Sequence, residues 1–178
     1  MTKTSLVISF LIAISALVFG FVGYMTKRKA IEEGIDSKLL ATAYMAREVL
    51  SSDFHDSISD ASSVSTDDYL HIVDRWNKLC KQLGLEFIWS LAKIDNRIVF
   101  TSGSSISKDV NKGDHAEFFE LHSNPELYET VFSTMQPQFQ INDDKWGRIR
   151  AVLVPFEDAK GRPYLFGASM KMTAVNNI

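Results

Sequence analysis

Four histidines and one cysteine carry the widest chemical repertoire in this chain of 178 residues. His55, His71, His115 and His122 show no His-x-x-x-His spacing on one helix, and no glutamate follows them in a zincin pattern. Asp114-His115 would need a nucleophile to act as a dyad, and no serine lies in a Gly-x-Ser-x-Gly turn. The Gly103-Ser104-Ser105 run lacks the Lys-Ser/Thr of a phosphate loop. Cys80 is alone, so no internal disulfide or Cys-based metal motif can form, and its place on an apolar stripe suits a small buried residue. No enzyme, metal or cofactor is expected.

Binding chemistry is better represented. Arg148 and Arg150 share a strand face beside Trp146, where guanidinium forks can hold a carboxylate or phosphate, so an anionic small molecule is the ligand they suit. Solvated strand-end charges are the plain alternative. An arginine inside the apolar strand RIRAVLV is costly unless paired, and Asp143 and Asp144 are its candidate internal partners. Trp89, Phe100 and Trp146 suit pocket walls, although for any one of them plain core packing is the commoner role. Ser102, His115 and Ser169 complete the candidate ligand-binding set.

These residues need a scaffold. Composition is globular, with 46% hydrophobic and 23% charged residues, and a net charge of -3 gives no reason to expect nucleic acid. Leu6 to Met25, LVISFLIAISALVFGFVGYM, is uncharged and spans roughly 30 Å as a helix, the thickness of a bilayer core. The small residues AISA sit inside the run rather than after it, so an uncleaved anchor over 1–30 is expected, followed by a domain over 31–178. Lys27, Arg28 and Lys29 follow the anchor while only Lys3 precedes it, which by charge alone puts the domain in the cytoplasm.

Past the anchor, Ile31, Ile35, Leu39, Ala43, Ala46 and Leu50 form one helical stripe, either core-facing or a dimer seam. Ser51 to Asp68 reads as a loop. Ser65 and Asp68 fit a capping box, and Gly84 closes the helix that bears Tyr69, Val73, Trp76 and Cys80. Strand formers flank an Asp95-Asn96 turn. Ser102 to Asn111 reads as an exposed loop, and Asp114 to Leu121 as a short helix. Asn124 is the expected cap of a helix running to about Met135. A strand around Phe139 and a final hairpin follow. Asp158 to Gly161 suits a type I turn with a glycine bulge, a register that pairs Leu153 with Gly167 and Arg150 with Met170, whereas a plain two-residue turn would pair Arg150 with Ser169. The sum is an α+β arrangement, a five-stranded antiparallel sheet with helices on its faces.

The order of a membrane segment, a long helix, LGLEFIWSLAKIDNRIVFTSGS and DDKWGRIRAVLVPFEDAKGRPYLFGASM resembles the PAS-like Cache or PDC sensor domains of bacterial histidine kinases, diguanylate cyclases and chemoreceptors. The resemblance covers roughly 31–172. It implies an extracytoplasmic, periplasmic domain on a single-pass inner-membrane anchor, a homodimer, and a small-molecule ligand between sheet and lid whose signal leaves through the long helix. Ser169 stands where relatives with amine or amino-acid ligands carry an aspartate, so the resemblance does not imply that class. With no kinase or cyclase segment, the chain is expected to be a receptor fragment or a stand-alone sensor. A membrane-anchored scaffold that binds a protein partner is the alternative.

Overall fold

The apolar run and the amphipathic stripe fuse into one helix, α1 (Lys3–Leu50), roughly 70 Å long at ~1.5 Å per residue. The computed structural model describes residues 3–144 and 147–172. Within α1 the segment from Val7 onward is long and apolar enough to cross a membrane, and none of its most apolar window is buried against the protein. From Ile35 the same helix joins the domain. Ile35, Leu39, Ala43 and Ala46 are buried there, Leu39 with no exposed surface. The stripe is therefore a core-packing face. Ile35 and Leu39 are already covered by their own chain and are not free to form a seam between two copies.

A 3-10 turn (Phe54–Ser57) leads to α2 (Thr66–Leu83). The Ser65 hydroxyl accepts from the Asp68 amide, and Gly84 (φ 62°) takes the left-handed conformation that ends the helix. Strands β1 (Phe87–Ile94) and β2 (Arg97–Gly103) turn over Asp95-Asn96, both at positive φ. Then come α3 (Glu126–Thr134), β3 (Gln138–Asp144), β4 (Gly147–Glu157) and β5 (Pro163–Lys171). The sheet is antiparallel in the order β2-β1-β5-β4-β3. Gly161 (φ 73°) makes the bulged turn, and the register pairs Leu153 with Gly167 and Arg150 with Met170, as the turn residues predict.

Alternation divides the sheet into two faces. One packs on α1 and α2 through Ile88, Ala92, Val152, Val154, Phe166 and Ala168, with Trp76 and Cys80 from α2. Truncating Trp76 or Phe166, both fully buried, would cost about 3–5 kcal/mol. The other face carries Leu91, Leu153 and Leu165 against Val131 and Phe132 of α3.

Three local expectations change. Asp114 to Leu121 is not a helix. The Phe100 amide donates to the Glu120 carbonyl, and the Phe119 and His122 amides donate to Phe100 and Ile98 carbonyls, so the segment covers the free edge of β2. An edge strand's unpaired amides and carbonyls reward this more than a short helix would. The loop from Ser102 is not wholly exposed either. Ser104 and Ser105 are buried, Ser105 donating through its amide and hydroxyl to Asn77 Oδ1. Asn124 does not cap α3 with its side chain, and the cap position is Pro125.

Candidate functional site

The second sheet face is only partly filled by α3. Beside it lies a cavity of about 580 Å³, floored by the sheet and walled by the segment after β2 and by α3. Three strands contribute by alternation: Trp89 from β1, Ile149 and Ala151 from β4, and Ser169 from β5. Gln140 and Asn142 of β3 turn to the same side, while Phe139 and Ile141 are partly exposed.

Gly167 decides the shape of the floor. A Cβ there would lie 2.2 Å from Trp89 Cε2, inside any permitted contact, so the indole lies across the glycine. The space that Gly167 leaves is taken up by Trp89 itself.

The wall is tied down from several directions. Tyr69 of α2 donates through its hydroxyl to the Ala116 carbonyl at 2.6 Å. The Ser107 amide donates to Asp114 Oδ2 at 3.0 Å. Although burial opposes it, the hydrogen bonds from Ser107 hold the Asp114 carboxyl below the usual range. His122 Nδ1 accepts from the Asn124 amide at 3.1 Å, and burial lowers the pKa of its ring. The neutral ring then carries its proton on Nε2, 3.1 Å from Tyr128 Oη, and donates to it. That leaves the Tyr128 hydroxyl proton available to the cavity, and burial pushes this phenol up to about 12.

Six buried side-chain polar atoms lack a hydrogen-bond partner among the described residues. Four of them belong to cavity residues: Trp89 Nε1, Asp114 Oδ1, His115 Nδ1 and Ser169 Oγ. Buried polar groups are nearly always paired, so their clustering here marks a place built to meet polar atoms.

Of the sequence candidates, Trp89, Phe100, His115 and Ser169 come together at this cavity. Ser102 does not. At a bulge Thr101 is the extra residue opposite Ser90, and both Thr101 and Ser102 bond Ser90 Oγ (2.6 and 2.7 Å). They form a buried hydroxyl network that continues to His55 Nε2, 3.0 Å from Thr101 Oγ1. Arg150 points to the helix side, where Asp36 of α1 holds it by two 2.7 Å bonds. Its internal partner is thus Asp36, and the side chains of Asp143 and Asp144 lie outside the described residues. Arg148 is exposed and, two positions before Arg150, shares that helix-side face. Trp146 lies outside the described residues. Asp114, Glu120, His122, Tyr128, Gln140 and Asn142 were not singled out as ligand contacts in the sequence. Only β3 carried a signal, the alternation of Gln138, Gln140 and Asn142 with Phe139 and Ile141.

No model of a known protein family and no curated protein matches the chain. Among solved structures it is similar to the sensor domain of E. coli DcuS, at 14% identity and a TM-score of 0.52, covering 82% of this chain and 94% of that one. The PAS-like Cache fold that the sequence resembles is therefore the fold observed. The periplasmic domain of RsbU from Chlamydia trachomatis also aligns, at 11% identity over 86% of this chain and 58% of that one, with a TM-score of 0.43.

Proposed function

We propose that the chain is the ligand-sensing part of a bacterial single-pass inner-membrane receptor, with an anchor over 1–30 and a non-catalytic periplasmic sensor domain over 31–178. The cavity carries this reading. It is concave and lined by aromatic rings, with a few buried, unpaired polar atoms among its lining residues, which is how small-molecule sites are built. The fold shared with the DcuS sensor domain supports it.

The route from ligand to membrane follows from alternation in two strands. Ile149 and Ala151 of β4 face the cavity, while Arg150 between them grips Asp36 of α1. Ser169 of β5 faces the cavity, and farther along that strand Tyr164 Oη accepts from Arg47 Nε of α1 at 2.9 Å. A ligand that shifts β4 or β5 acts on a helix that continues without interruption into the anchor. For this to be a signal, the ligand must bind one helix position better than another.

A scaffold that docks a protein partner is the competing reading. The unpaired polar atoms among the lining residues favour a small polar molecule over an apolar protein surface. The test is a thermal-unfolding screen of the full chain in detergent against small metabolites. A ligand of the folded state raises the midpoint with the logarithm of one plus its concentration over Kd. Binding of metabolites with no sensitivity to substitutions in the cavity would end the sensor-pocket reading.

A further inference from the structure

The charge of the cavity narrows its ligand. Resting on the sensor reading above, we infer that the ligand is a small organic cation, an amine or ammonium that also carries a neutral hydrogen-bond acceptor. Among the described residues, the charged side chains that line the cavity are Asp114 and Glu120. The arginines that suggested an anion lie on the other face of the sheet, Arg150 already held by Asp36. Lys108 is not in the lining. Its ammonium donates to the Ser105 carbonyl at 2.7 Å and sits 4.2 Å from the centre of the Phe87 ring. Lys108 and Lys112 offset part of the Asp114 charge from outside the lining, but among the described residues an anion in this cavity would meet two carboxylates and no cation of the lining itself, and that repulsion grows as water is excluded.

Three further features point to the positive partner. Asp114 Oδ1 is buried with no donor, because the Ser107 amide serves only Oδ2. An ionised carboxylate oxygen so placed calls for an N–H of a ligand. The walls present the rings of Trp89, Phe100 and Tyr128, whose negative faces attract ammonium groups, beside Phe87, which already holds the Lys108 ammonium in this way. The acceptor on the ligand follows from donors that can only give: Trp89 Nε1–H, and the Tyr128 proton left over once His122 Nε2–H occupies its oxygen. Ser169 Oγ can serve in either role.

The experiment compares molecules of one shape and different charge on the full chain in detergent. The probes are choline, its uncharged isostere 3,3-dimethylbutan-1-ol, ethanolamine and acetate, read by calorimetric Kd and thermal midpoint. Choline or ethanolamine should bind, the uncharged isostere about tenfold more weakly or worse, and acetate not at all. Asp114→Asn should weaken the cation about tenfold and leave the isostere unchanged. Glu120→Gln, at the exposed rim, should weaken the cation a few-fold, and it keeps the test open if Asp114→Asn does not fold. Acetate or the isostere binding as well as choline, or cation binding indifferent to both substitutions, overturns the cation assignment. If that acetate or isostere binding is abolished by Gly167→Leu in the floor, the cavity remains the sensing site and only the ligand class falls. If no probe of any charge binds, the cation assignment falls, and the metabolite screen above decides the sensor reading separately.

Discussion

Asp36 of α1 and Arg150 of β4 meet across 114 positions of sequence in a two-point ion pair, Nε to Oδ1 and Nη2 to Oδ2, each at 2.7 Å. The guanidinium also lies 5.1 Å from the centre of the Phe139 ring. About a fifth to a quarter of each charged side chain remains exposed. The pair fastens the strand that floors the cavity to the helix that enters the anchor.

Removing one partner leaves a half-buried charge unpaired. Asp36→Ala is expected to lower stability by about 1–3 kcal/mol, less than the ~3–5 kcal/mol of a fully buried pair because both groups keep some water. Chemical denaturation of the single and double variants would measure it. The double variant Asp36→Ala/Arg150→Ala should be less destabilised than the sum of the two singles.

Gly167→Leu drives a side chain into the Trp89 indole, since even a Cβ there falls at 2.2 Å. The ring must move into the cavity. A loss of about 1–3 kcal/mol in stability is expected, together with loss of small-molecule binding. Gly167→Ala should show a weaker form of both effects. Unchanged ligand affinity in a folded Gly167→Leu protein would remove the cavity from the function.

His55 is buried, stacked on Tyr164 with ring centres 3.9 Å apart and bonded to Thr101. Burial lowers its pKa from 6.5 to about 3. Between those values the unfolded chain binds the proton and the folded chain does not. The stability held by neutral His55 is therefore full above about pH 6.5 and is lost as pH falls towards 3. His55→Gln should show a shallower decline in unfolding free energy over that window, read against the parent protein at each pH.

A dimer of the anchored chain is expected to use the face of α1 opposite the core, through Gly34, Ser37 and Ala41, all exposed. Single cysteines at Ser37 and Ala41 should crosslink in membranes. Cysteines at Ile35 and Leu39, buried in the domain, should not. Crosslinking at all four positions alike would mean no ordered seam.

The proposed periplasmic orientation runs against the basic cluster Lys27-Arg28-Lys29. A reporter active only in the periplasm, fused after Ile178, should be active. Activity restricted to a cytoplasmic reporter would place the domain inside and sink the periplasmic reading.

Patterns that depend on near neighbours were legible in the chain itself. The apolar run, the stripe of α1, the Ser65 cap, the Gly84 stop and the Asp158 to Gly161 turn each follow from spacing or from the backbone needs of one residue. The turn residues narrowed the hairpin to two registers, and the structure takes the bulged one that pairs Arg150 with Met170. What lay beyond reach depended on partners far away in sequence. Arg150 calls for an acid, but nothing in RIRAVLV says that the acid is Asp36 on the first helix. Ser102 leaves the cavity face because a bulge at Thr101 shifts the alternation, and Asp114 to Leu121 is not a helix because its last residues bond the β2 edge. Only the tertiary structure turns Asp114, Trp89 and Ser169 toward one space with unpaired atoms, because three separate segments must close around it.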